Sequence, residues 1–599
     1  MTLPTEDSVV SRRCFTSALV LFAAMLIFSA VAPARAVAVR ETDAVRVWLA
    51  PLTPRSGEPL RILVVAVDGE LTGLRLIRPD GSGEELPTVR AGGPPWSLRA
   101  VVPAAVAGDY RLEALRAGVV VAHAEIKVGT ESAKRGSGRW DLVNEALYAA
   151  WIEQLFDAPP DESLSFPSLE PVLRDPARNF LHDYLRPGED ERISAEPDCA
   201  DLPYFLRAYF AWKLGLPLAY RPCDRGTAKR PPQCGPVRID TGFVGTKAAP
   251  QAFRKAGLNL MNVVHSGNAR TALDDEACDF YPVPLTREYL WPGTLFADPY
   301  GHILILTKWI PQSDASPGML LAVDAQPDNS VARKRYWEGN FLFADTPSAG
   351  PGFKAYRAPI LVGKNWRQPA NAALDGGSGL PPLAMEQAEM APGDFYARLE
   401  GLINPAGLDP EAAYDSTLDA LMEQLETRVQ SVDNGENYMR VQRGKVVSMP
   451  KGSAIFETVG PWEDYATPSR DMRLLIAMKV LASLPERIRR HPELFNLGDR
   501  DAEEAAIEIE RLHTRMAEKH FIHYTRSDGG TWRLSLAEIY RRQEALEVAY
   551  NPNDCVERRW GASPDSEDFV TCKRRAPADQ IARMEQYRLW FRETRRPPR

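Results

Sequence analysis

Residues 196–220 read EPDCADLPYFLRAYFAWKLGLPLAY, and this stretch decides how the middle of the chain is built. From Leu202 to Leu214 the residues are apolar except for Arg207 and Lys213. Asp201 is a favoured N-cap residue, and Pro203 falls in the first turn, where its missing N–H costs little. Gly215 and Pro217 stop the run. The spacing predicts a helix with Phe205, Leu206, Tyr209, Phe210 and Leu214 on its buried stripe. Cys199 lies just ahead of it, flanked by Asp198 and Asp201. A helix N-terminus offers free N–H groups and partial positive charge, which favour a thiolate. The two aspartates act in the opposite sense unless they point away. Cys199 is therefore either a small core residue or a nucleophile, and the rest of the chain has to supply the partners.

A nucleophilic thiol needs a base, and the base needs an orienting acceptor. FADPYGHILILTKWI, residues 296–310, offers His302 at the start of an apolar strand, after Gly301. GMLLAVDAQP, residues 318–327, offers Asp324 at the end of the next. The order is cysteine before a helix, histidine opening one strand, aspartate closing the following one.

That order and its motifs resemble the papain-like fold of bacterial envelope enzymes. PGTLFADPYGHILIL is similar to the glycine–histidine strand of NlpC-type cell-wall peptidases. DCADLPYFLRAYFAWKLGLPLAYR resembles both their cysteine helix and the cysteine helix of bacterial transglutaminase-like domains. LLAVDAQ resembles the aspartate strand of the latter. The likeness covers about residues 180–345. Ala200-Asp201 stands where the peptidases have Ser-Gly, and Ile303 where the transglutaminases have tryptophan. By position the resemblance implies Cys199 as nucleophile, His302 as base and Asp324 as orienting acid. It implies amide hydrolysis through a thioester, with peptides such as those of peptidoglycan as substrate. The same three residues would serve acyl transfer to an amine, and a non-catalytic envelope scaffold that binds peptide is the third reading. An activated thiolate at Cys199 would react with iodoacetamide at pH 6–7.

Around this centre the chain divides into segments. At 599 residues it exceeds a single hydrophobic core. The stretch SRRCFTSALVLFAAMLIFSAVAPARA, residues 11–36, has the basic pair Arg12-Arg13, an apolar run and a small-x-small site at Ala34-Arg35-Ala36. It reads as an export signal over residues 1–36, with SRRCF resembling the twin-arginine motif. The expected location is periplasmic or extracellular, an uncleaved anchor being the alternative. Residues 41–129 hold short Val-, Ile- and Leu-rich runs between turn residues, the rhythm of an antiparallel sandwich, and the last of them resemble bacterial immunoglobulin-like domains. A polar linker at 129–139 leads into the papain-like α+β segment at 139–366. Beyond a Gly- and Pro-rich boundary, residues 384–599 show the periodicity of a mainly helical region.

The net charge of −8 gives no global basis for binding nucleic acid. No metal or cofactor is expected, because G-x-S-x-G, H-E-x-x-H and P-loop spacings are all missing. His513, His520 and His523 cluster late without metal-ligand spacing. The basic, aromatic tail QIARMEQYRLWFRETRRPPR reads as a docked helix or as a contact for an acidic envelope surface. Export permits disulfides, and proximity pairs Cys223 with Cys234 and Cys555 with Cys572, leaving Cys199 and Cys278.

Overall fold

The structure is a computed structural model that describes residues 44–129, 138–245, 248–314, 316–326, 328–374, 379–443, 445–456 and 460–597. The export signal and its cleavage site lie outside the described residues, as does most of the 129–139 linker. Among the described residues no helix is long and apolar enough to cross a membrane.

The architecture is mixed, with antiparallel sheets and helices. Eight strands open it: β1 Val45–Ala50, β2 Leu60–Ala66, β3 Gly73–Ile77, β4 Gly83–Glu85, β5 Val89–Gly92, β6 Trp96–Val102, β7 Gly108–Arg116 and β8 Val119–Val128. They form two four-stranded sheets, ordered β1-β2-β6-β5 and β4-β3-β7-β8. The short β4 and β5 were not anticipated, since both are exposed and lack an apolar alternation. The sheets share one apolar core, to which β1 and β2 contribute Val45, Val47, Leu60, Ile62 and Val64. Side chains alternate across a strand, so Trp48, Ala50, Leu63 and Val65 point the other way. They belong to the central core instead. β1 and β2 thus contribute to both cores.

The central core forms around α1 Leu142–Leu155, β9 Ser165–Phe166, α2 Glu170–Leu173 and α3 Leu202–Leu214. Next come β10 Leu218–Tyr220, β11 Arg238–Asp240, α4 Pro250–Met261, β12 Phe280–Pro282 and β13 Leu295–Ala297. β14 Ile303–Ile310, β15 Met319–Ala325, β16 Val331–Arg335 and β17 Gly352–Tyr356 follow. Seven of these strands make one antiparallel sheet in the order β12-β17-β13-β14-β15-β16-β9.

α3 departs from the amphipathic stripe expected of it. All of its residues are buried, Arg207 and Lys213 included. Arg207 meets Glu145 of α1 in a two-pronged ion pair and lies over the ring of Trp140, 3.4 Å from its centre. Lys213 donates to Glu189 and, at 2.8 Å, to Asp190. Gly215 ends the helix at φ +71°, a left-handed conformation that favours glycine.

The region beyond residue 408 has its own apolar core, running from Ala413 to Phe591. It is mainly helical, with helices at Pro410–Val441, Pro468–Ala482, Ala502–Lys519 and Ala578–Arg592. A hairpin, Phe521–Thr525 with Thr531–Ser535, interrupts it. The late histidines do not share one element. His520 is the C-cap of helix Ala502–Lys519, and His523 sits on the hairpin opposite Arg533. Alternate residues Ile522 and Tyr524 are buried there, a period of two rather than 3.6. In the last helix Arg588 and Arg592 both pair with Glu547, at 3.2 and 3.1 Å.

Two disulfides are present, Cys223–Cys234 and Cys555–Cys572, which fits an oxidising compartment. Cys199 and Cys278 are free thiols. Cys278 is structural: its Sγ lies 2.8 Å from Asp275 O and 2.9 Å from Phe280 O.

Asn179, fully buried, is the polar hub between α1, α2 and α3. Its Oδ1 accepts from Trp151 Nε1 and Leu181 N, and its Nδ2 donates to Leu173 O and Tyr209 Oη. Asn179→Ala strands several buried groups at once. It should lower stability by about 2–4 kcal/mol, read as a drop in the denaturant midpoint.

Candidate active site

The cysteine side of the site is set by Asp198 rather than by Asp201. Asp198 Oδ1 accepts from Ala200 N at 2.8 Å and Asp201 N at 2.9 Å, and its carbonyl takes Leu202 N at 2.9 Å. The expected cap, Asp201, makes no side-chain cap bond. Cys199 therefore occupies the first turn leading into α3, half-buried and outside any disulfide.

The histidine side is a hairpin. β13 and β14 are joined by a turn in which Gly301 N donates to Asp298 O and Asp298 N donates to His302 O. Tyr300 N donates to Asp298 Oδ1. Gly301 has φ +109°, which only glycine adopts without strain. Its role is thus to turn the chain into His302.

The aspartate side is fixed by strand register. β14 pairs with β15 as Ile305↔Val323 and Leu306↔Ala322. Continued, that register puts Leu304 opposite Asp324, and His302 on the same face one diagonal step away. His302 Nε2 is hydrogen-bonded to Asp324 Oδ2. Asp324 is 1% exposed and also accepts from Gln326 Nε2 at 3.0 Å. Burial pushes its carboxyl upward, but the hydrogen bond and electrostatic attraction of His302, followed by the charges of Lys334 and Arg473, hold it below the ordinary range. With Nε2 engaged, Nδ1 is the imidazole nitrogen left for other chemistry.

Two links relate Cys199 to this pair. Asn329, in the turn after β15, donates to Glu196 O at 2.7 Å and ties that turn to the segment before the cysteine. The charge of Asp324 also reaches the thiol. Burial, then Asp198, Asp324 and Asp201, push the Cys199 thiol up to about 12. This is the reverse of the activation expected from a helix N-terminus. The free N–H groups that would favour a thiolate are taken by Asp198. Among the described residues no hydrogen bond joins Cys199 to His302. The structure thus brings His302 and Asp324 into contact, and holds Cys199 within the electrostatic reach of Asp324.

Gln326, Asn329 and Arg473 were missed from sequence. Gln326 carried a signal, since it lies two residues from Asp324 on one face. Arg473 carried none, because it comes from a helix almost 150 positions away. His182, Asp183 and Asp190 bring ligand-type atoms together. Their carboxylates are already occupied: Asp183 accepts from Gly188 N and Glu189 N, and Asp190 from Asp183 N, Tyr209 and Lys213.

No family model matches the chain, and neither a curated protein nor a solved structure matches it.

Asp201 is pushed up to about 7 by burial and by Asp198. The folded state holds this proton to about pH 7, whereas the unfolded chain loses it near pH 4, so stability falls as pH rises between them. Asp201→Asn removes that loss. It should stabilise the protein at pH 8 by about 1–3 kcal/mol, allowing for the side chain's partial exposure, and leave it unchanged below about pH 4. Thermal melts at the two pH values check the sign. The same variant should lower the pH at which Cys199 becomes reactive toward iodoacetamide.

Proposed function

We propose that the chain is an exported cysteine hydrolase that cuts an amide bond through a thioester, with Cys199, His302 and Asp324 as its working set. The observation that carries this reading is the hydrogen bond between His302 Nε2 and the buried Asp324, whose charge reaches a free, half-buried thiol at Cys199. A thiol held near 12 is not ionised at rest, so attack has to be coupled to proton removal. His302 Nδ1 takes the thiol proton as Sγ bonds to the carbonyl carbon. The imidazolium then gives that proton to the leaving nitrogen as the C–N bond breaks. Water, activated by the same nitrogen, cleaves the thioester and restores the thiol. Asp324 orients the ring and stabilises its charged form. On this reading the seven-stranded sheet with α3 is a papain-like core, and the two N-terminal sheets are an immunoglobulin-like module. Peptides of the peptidoglycan type follow from the sequence resemblance.

The raised thiol pKa and the lack of a Cys199–His302 hydrogen bond favour a second reading, a peptide-binding envelope scaffold without turnover.

Digestion of muropeptides followed by mass spectrometry separates the two. Cys199→Ala should abolish cleavage with an unchanged melting temperature, and His302→Ala should slow it by about 10²–10⁴-fold. Cleavage that survives in Cys199→Ala sinks the hydrolase reading. Binding without cleavage by the unaltered chain establishes the scaffold.

A further inference from the structure

A cavity of about 120 Å³ lies where the central sheet meets the region beyond residue 408. Leu320 of β15 and Ile403, the last residue of helix Pro392–Ile403, bring walls from the central core. Ala413, Leu484 and Phe495 bring walls from the other core. The room has a source in the sequence. On helix Pro410–Val441, Ala413, Thr417 and Ala420 recur at helical spacing and all line the cavity, so that face offers it only short side chains. Ala412, which is exposed, also lines it, so the cavity meets solvent on that side.

The charged groups of the lining balance. Arg487 donates to Glu338 at 2.9 Å and lies 3.9 Å from Glu400. Glu400 also accepts from Asn404 Nδ2 at 2.8 Å, and Arg335 donates to Ser416 O at 3.2 Å. Two carboxylates stand against two guanidinium groups, which leaves no surplus charge to attract an ion. Tyr336, just after β16, is the exception to this pairing. It is 9% exposed, and its ring meets Phe341 edge-on at 5.0 Å. Among the described residues its hydroxyl has no hydrogen-bond partner. Burial, then Tyr396, Glu338 and Glu400, push that hydroxyl well above the ordinary tyrosine pKa, so it keeps its proton and can donate. Glu338 and Glu400 also line the cavity, which places the hydroxyl at its polar end. We infer that this cavity binds a small neutral molecule with an apolar body and one hydrogen-bond-accepting oxygen, which the Tyr336 hydroxyl engages. A buried donor left unmet is costly, so an acceptor placed there restores what folding took away. An apolar cavity of about 150 Å³ holds benzene, so this one suits a ketone or ether of about five carbons. The inference stands apart from the hydrolase reading, since Cys199, His302 and Asp324 do not line the cavity.

The experiment is a ligand-observed NMR titration of the full chain with two probes of one shape, cyclopentanone and methylenecyclopentane. The ketone should bind saturably. Tyr336→Phe should weaken it about tenfold and leave the hydrocarbon no weaker, at an unchanged or raised melting temperature. Ala420→Leu puts a larger side chain into the cavity and should remove binding of both probes. Should one variant melt early, the other carries the test. No ketone binding up to about 50 mM, the result expected of a cavity that holds water only, overturns the inference. Ketone affinity undiminished in folded Tyr336→Phe, or in folded Ala420→Leu, overturns it as well.

Discussion

The architecture depends on two cations carried into the interior by α3. Burying an unpaired charge costs several kcal/mol, so Arg207 and Lys213 admit the helix to the core only where carboxylates wait for them. Glu145 on α1 meets the first, and Glu189 with Asp190 meets the second. The rings of Trp140, Tyr148 and Tyr356 surround the Arg207 guanidinium, and Tyr356 lies on β17 of the central sheet. One side chain thus fixes α3 against a helix and a strand together. A rotation of α3 about its axis would leave two buried charges unmet. The helix start, and with it Cys199, inherits that fixed position.

The other half of the site depends on sheet register. A slip of one residue between β14 and β15 would send His302 and Asp324 to opposite faces. The pairing breaks at a bulge between Leu306 and Lys308, beyond the part that aligns these two residues. Asp324 can stay ionised though buried because His302 and the cations of Lys334 and Arg473 offset its burial. Arg473 belongs to the C-terminal region, and so does Arg596 beside Tyr300. That region therefore takes part in the electrostatics around the site.

Cys199 shows how local electrostatics compete. A helix N-terminus carries about half a positive charge. Asp198 places a full negative charge there and takes the N–H groups of Ala200 and Asp201. With Asp324 and Asp201 nearby and the sulfur mostly out of water, the neutral thiol wins.

The sequence by itself determined elements whose signals are local. Its alternating runs located β1, β2, β3, β6, β7 and β8. Gly215 and Pro217 marked the end of α3, and loop proximity paired Cys223 with Cys234 and Cys555 with Cys572. His302 opening one strand and Asp324 near the end of the next were legible as two residues, and period-two alternation allowed them to share a face. Only the tertiary structure decided that they touch, because contact depends on pairing register, which no single strand encodes. Only it decided that α3 is buried all round, since the carboxylates that neutralise Arg207 and Lys213 come from other segments. The state of the Cys199 thiol was equally out of reach. It depends on how deeply the sulfur is buried and where three carboxylates point, and distances between side chains remote in sequence are fixed only when the chain has folded.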